Sequence, residues 1–120
     1  ILLPIDTPLS AFQHLLVYTK SSLHEQTTPV AFPLVDVDSL VGNITFDDYD
    51  LDLSELGGTL RWRPPLDVDQ VTYYLIYLAE SSNGTNRSIQ GTVPVGTEQL
   101  VVPANSALES FTPFTIYSRS

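Results

Sequence analysis

The chain has 120 residues, 42% hydrophobic and 16% charged, which is about one domain's length with enough apolar mass for one core. Fourteen acidic residues against five basic ones give a net charge of −9, so phosphate backbones and anionic membrane surfaces are repelled and nucleic acid is excluded as a partner. The absence of cysteine removes disulfides, thiolate metal sites and cysteine nucleophiles, and no run of 18 apolar residues offers a membrane span.

Ile1 to Pro4 is too short for the apolar region of a secretory signal, so an export signal is expected outside these residues. The opening instead matches the close. Residues 3–12 lie over 102–111, and 17–21 over 116–120, each residue matched by the one 99 positions later without a gap. Pro4, Leu9, Phe12, Tyr18 and Ser21 recur identically as Pro103, Leu108, Phe111, Tyr117 and Ser120. An ungapped match at a domain-sized period is what tandem duplication leaves. Residues 1–32 therefore read as the last strands of a preceding unit and 33–41 as a junction opening on Pro33. Residues 42–120 read as a following unit without its final strand.

Further along, apolar residues alternate, and β-branched and aromatic types are frequent. Gly57-Gly58, Pro64-Pro65, Asn83-Gly84, Gly91, Pro94 and Gly96 punctuate the chain at short intervals. No stretch keeps a helical period; Thr7 to Gln13 holds one helical turn at most. Regularly spaced short strands predict an all-β fold, an antiparallel β-sandwich.

Gly58 to Pro65, with Trp62 followed by a proline pair, resembles strand B of a fibronectin type III domain, an immunoglobulin-like sandwich. In chain order the resemblance implies strand F at Phe12 to Thr19 and strand G at Thr28 to Phe32 of the earlier unit. It then implies strand A anchored by Ile44 and Phe46, strand C at Val71 to Leu78, strand E at Gln99 to Pro103, and a second strand F at Phe111 to Ser118. The family's tyrosine near the start of strand F is missing: Phe114 stands there, and Leu15 in the earlier copy. The combination is also similar to divergent repeats of very large extracellular proteins of unicellular algae.

Alternation along strand C sends Tyr74, Ile76 and Leu78 inward and Tyr73, Leu75 and Tyr77 outward. Phe114 and Ile116 go inward and Tyr117 outward, so Tyr73, Leu75, Tyr77 and Tyr117 share one outer face. Such a face suits contact with a protein or the stacking of a sugar; cross-strand aromatic pairs that stabilise the sheet are the competing reading. With Leu60 and Trp62, the inward residues make the expected core.

Asn43-Ile44-Thr45, Asn83-Gly84-Thr85 and Asn86-Arg87-Ser88 are acceptor sequences for N-linked glycans. The last two fall in a polar run, Ser81 to Ser88, that reads as a loop. Asp48, Asp50 and Asp52 imitate the start of a calcium loop, but Leu53 stands where such a loop needs glycine and Glu55 comes too early. Asp36 and Asp38 are possible additional ligands from the junction. A solvated acidic edge that discourages sheet-to-sheet pairing is the stronger reading. His14 and His24 are the only histidines, and no nucleophile elbow, phosphate loop or metal-binding histidine pair occurs, so no enzymatic activity and no required cofactor are expected.

The sequence thus points to a structural repeat of an extracellular or cell-surface filament, coat or stalk, with a carbohydrate- or protein-binding adhesion module as the alternative. The expected partners are neighbouring copies of the repeat, joined either within one chain or by strand donation.

Overall fold

Val30, Ala31 and Phe32 alternate against Leu15, Leu16 and Val17, and that short match of β-formers makes the first hairpin. In the computed structural model, which describes residues 1–4, 7–35 and 38–120, β1 (His14–Val17) pairs antiparallel with β2 (Val30–Pro33). The register sets Leu15 opposite Phe32 and Val17 opposite Val30. All eight side chains are exposed, and two lone strands bury too little to be stable by themselves. This hairpin belongs to a first unit, Ile1–Val37, distinct from a second, Asp38–Ser120. The expected ligand Asp36 lies outside the described residues.

The second unit holds six strands, all antiparallel to their neighbours. They are β3 (Gly42–Asp48), β4 (Glu55–Arg63), β5 (Tyr73–Leu78), β6 (Ser88–Pro94), β7 (Gln99–Ala107) and β8 (Phe114–Arg119). One sheet has the order β3-β4-β7 and the other β6-β5-β8. The fold is all-β, with no helix among the described residues.

Strict alternation decides which faces meet. In β5, Tyr74, Ile76 and Leu78 are buried while Tyr73, Leu75 and Tyr77 are only partly covered. In β4, Leu60 and Trp62 are buried between exposed Arg61 and Arg63. Leu60, Trp62, Tyr74 and Ile76 form one cluster with Val71, drawing both sheets onto a common core. Trp62 meets Tyr74 edge-on at 5.5 Å between ring centres, and Phe46 meets Phe114 at 4.9 Å. Burying each large side chain of this cluster contributes about 1.5–3 kcal/mol.

Several expected bounds shift. The strand expected at Thr28 to Phe32 is observed at Val30–Pro33, and that expected at Phe111 to Ser118 starts at Phe114. β7 runs past Pro103 to Ala107 along a register shift opposite Leu56 and Gly58. Proline is tolerated there because β7 lies at a sheet edge. Gly91 and Pro94, which punctuate the sequence, both lie within β6, where Gly91 pairs with Ile76. Phe46 packs on the core, whereas Ile44 remains 42% exposed.

The two matched segments also share local geometry. Thr7 Oγ1 donates to the Pro4 carbonyl at 2.6 Å, and Ser106 Oγ to the Pro103 carbonyl at 2.7 Å. Phe12 N–H donates to Leu9 O at 3.1 Å, and Phe111 N–H to Leu108 O at 3.0 Å. Ser10 and Glu109 both take a left-handed φ of 51°, a conformation uncommon outside glycine.

Candidate functional site

Three surfaces of the second unit collect the residues that the sequence marks. The first is the outer face of the β6-β5-β8 sheet. Register sets Leu75 opposite Tyr117 and Tyr73 opposite Arg119, so Tyr73, Leu75, Tyr77 and Tyr117 do share one face. That face is already engaged. Tyr77 and Tyr117 meet edge-on at 5.8 Å, and the Arg87 guanidinium carbon lies 4.7 and 4.6 Å from their ring centres. Arg119 stands 5.6 Å from the Tyr73 ring. A guanidinium over an aromatic face is held by the ring quadrupole. Arg87 draws the β5–β6 loop back onto the sheet.

That loop carries two of the three sequons. Asn83 and Asn86 are exposed, and Asn43 is exposed in β3. Asn86 Nδ2, the atom a glycan would modify, donates to Glu80 Oε2 at 2.8 Å, and Ser110 Oγ donates to Glu80 Oε1 at 2.9 Å. These two bonds hold the Glu80 carboxyl below the ordinary carboxylate range. Gly84, the middle residue of the first of these sequons, has φ 75°, and a Cβ there would run into Tyr117 Oη.

The second surface is the β3–β4 hairpin end. Asp48 is occupied structurally: its Oδ1 accepts from Asp50 N–H at 3.1 Å and Gly57 N–H at 3.0 Å. The acidic groups brought together are instead Asp50, Asp52 and Glu55. Asp50 Oδ1 accepts from Asp52 N–H at 3.1 Å and Oδ2 from Asn105 N–H at 2.7 Å. Those backbone donors, Asn105 foremost, hold the Asp50 carboxyl below its ordinary value. Asp38 accepts from the Leu40 N–H at 3.1 Å.

The third surface is the edge of β8 away from β5. Among the described residues no strand pairs there. A groove of about 570 Å³ runs along it, with Phe114, Ile116 and Ser118 on one side and Leu40, Val41 and Ile44 on the other. Phe114 and Ile116 pack on the core yet are only partly buried, and both line this groove. Neighbouring Thr115 is buried, and its Oγ1 has no hydrogen-bond partner. The histidines lie elsewhere, exposed in the first unit.

No family model matches the chain, and neither does any curated protein or solved structure. The sites therefore rest on geometry alone.

Proposed function

We propose that this chain is a segment of a tandem array of fibronectin type III-like β-sandwiches, serving as a structural repeat of an N-glycosylated extracellular filament, coat or stalk. The observation that carries this reading is the doubled corner. Two segments 99 residues apart share a side-chain bond to a proline carbonyl, a tight turn and a left-handed residue, each at the equivalent position. Duplication of one unit accounts for all three together. Strand partition adds support: the strands that correspond to A, B and E share one sheet, and those that correspond to C and F share the other.

Exposure of Asn43, Asn83 and Asn86 fits glycans that keep such an array hydrated. The tyrosine face supports adhesion less well, because Arg87 already lies over two of its rings.

Antibodies raised against residues 38–120 test the reading on intact cells of the source organism. Labelling of extracellular structures without permeabilisation, and a gel shift of the native protein after N-glycosidase, are expected. Labelling only after permeabilisation, with no shift, refutes it.

A further inference from the structure

Two acceptor sequences for N-linked glycans, at Asn83 and Asn86, share the β5–β6 loop, and the loop treats their side chains differently. Resting on the reading of the chain as an N-glycosylated extracellular protein, we infer that Asn83 alone carries the glycan of this loop. Asn86 serves instead as a latch that ties the loop to its neighbour through Glu80.

Asn83 is placed as an acceptor should be. Gly84 N–H donates to the Ser81 carbonyl at 3.0 Å, closing a turn with Ser82 and Asn83 at its corners. Asn83 is exposed, and among the described residues no hydrogen bond engages its carboxamide. Gly84, the next residue, packs so closely on the sheet that a Cβ would meet Tyr117 Oη. The turn is therefore seated through Gly84, and the Asn83 carboxamide stays in solvent. Glycan transfer breaks one Nδ2–H bond and joins Nδ2 to C1 of the sugar. The lipid pyrophosphate that carried the oligosaccharide leaves with the electron pair, and the proton passes to a base of the transferase. At Asn83 the product disturbs no bond of the folded loop.

Asn86 is held. Its Nδ2 donates to Glu80 Oε2 at 2.8 Å, while Ser110 Oγ donates to Glu80 Oε1 at 2.9 Å. One carboxylate thus joins the β5–β6 loop to the β7–β8 loop, by bonds that its charge strengthens. Glu80 N–H donates to the Thr85 carbonyl at 3.0 Å, closing the base of the same loop. A sugar on Asn86 would replace one of the two Nδ2 hydrogens and set a ring against the carboxylate. It would also crowd Arg87, whose guanidinium lies over Tyr77 and Tyr117. Order of synthesis works in the same direction. The chain emerges N-terminus first, so Asn83 meets the transferase before Asn86. The oligosaccharide it receives then obstructs an acceptor only three residues further on.

N-glycosidase digestion of the native protein in heavy-oxygen water marks each formerly glycosylated asparagine as a labelled aspartate, which peptide mass spectrometry locates. Label at Asn83 and none at Asn86 is expected. Label at Asn86, with or without Asn83, overturns the assignment. Label at Asn43 alone overturns it too but leaves the glycoprotein reading standing, whereas no label anywhere overturns both. The latch is tested on the unglycosylated full chain by thermal unfolding. Asn86→Ala should lower the melting temperature and Asn83→Ala should leave it unmoved. In a Glu80→Ala background Asn86→Ala should cost nothing further. Equal effects of the two asparagine variants, or a loss at Asn86 that persists without Glu80, overturn the latch.

Discussion

Ile76 and Ile116 sit opposite each other across β5 and β8, yet their surroundings differ. Ile76 is fully enclosed by Leu60, Trp62, Val71 and Tyr74, while Ile116 is only partly buried beside the open groove. Truncation of a buried isoleucine to alanine costs about 2–5 kcal/mol, rising with the cavity left behind. Enclosed on all sides, Ile76→Ala belongs near the top of that range, at about 4 kcal/mol. The groove can relax or admit water beside Ile116, so Ile116→Ala belongs near the bottom, at about 2 kcal/mol. For a unit of this size each kcal/mol moves the melting temperature by roughly 4–8 °C, and a gap of about 2 kcal/mol separates the variants by about 8–16 °C. Thermal unfolding followed by near-ultraviolet circular dichroism at low protein concentration measures it. Equal losses would refute the reasoning, because they would mean that the β8 edge is covered in the isolated chain.

Other outcomes follow from the loops. Arg87→Ala removes an exposed cation from two tyrosine rings and should cost about 1 kcal/mol, with restoration by Arg87→Lys only partial; urea unfolding measures both. Asp50 has a depressed carboxyl value in the folded state, so its contribution is present above the ordinary 3.8 and is lost as pH falls below it toward the folded value. Asp50→Asn should flatten that acid limb of a stability–pH curve, and an unchanged limb would exclude Asp50 as a source. Both Asp50 oxygens already accept backbone N–H groups, so calcium followed by chelator should leave the melting temperature unmoved; a rise that disappears in Asp52→Asn would assign an ion to the acidic trio.

The core was legible because alternation is a local property. Tyr74, Ile76 and Leu78 follow from a period of two, and Leu60 and Trp62 from the same rule in β4. What escaped depends on residues distant in sequence. Gly91 and Pro94 look like breakers, but at Gly91 a Cβ would come 2.8 Å from Leu100 Cδ1; the glycine admits a side chain from the facing sheet. The hairpin brings Glu55 back to Asp50 and Asp52 and sends Asp48 to cap the turn, a substitution that residue spacing does not reveal. Arg87 reaches the tyrosine face only because the β5–β6 loop folds back. The sole local hint was one long cation in a polar loop beside an aromatic strand.

Most arginines of the second unit are engaged within it, which leaves its negative charge little offset toward solvent. Arg61 is bound to Asp47 at 3.0 Å, and Arg87 and Arg119 lie over tyrosine rings. Three of the five basic side chains are thus engaged within the unit, against fourteen carboxylates. At low ionic strength two copies face mutual repulsion over tens of ångströms, and that range shrinks to about 10 Å at 0.1 M salt and about 3 Å at 1 M. Added salt therefore shortens the distance over which two copies repel each other.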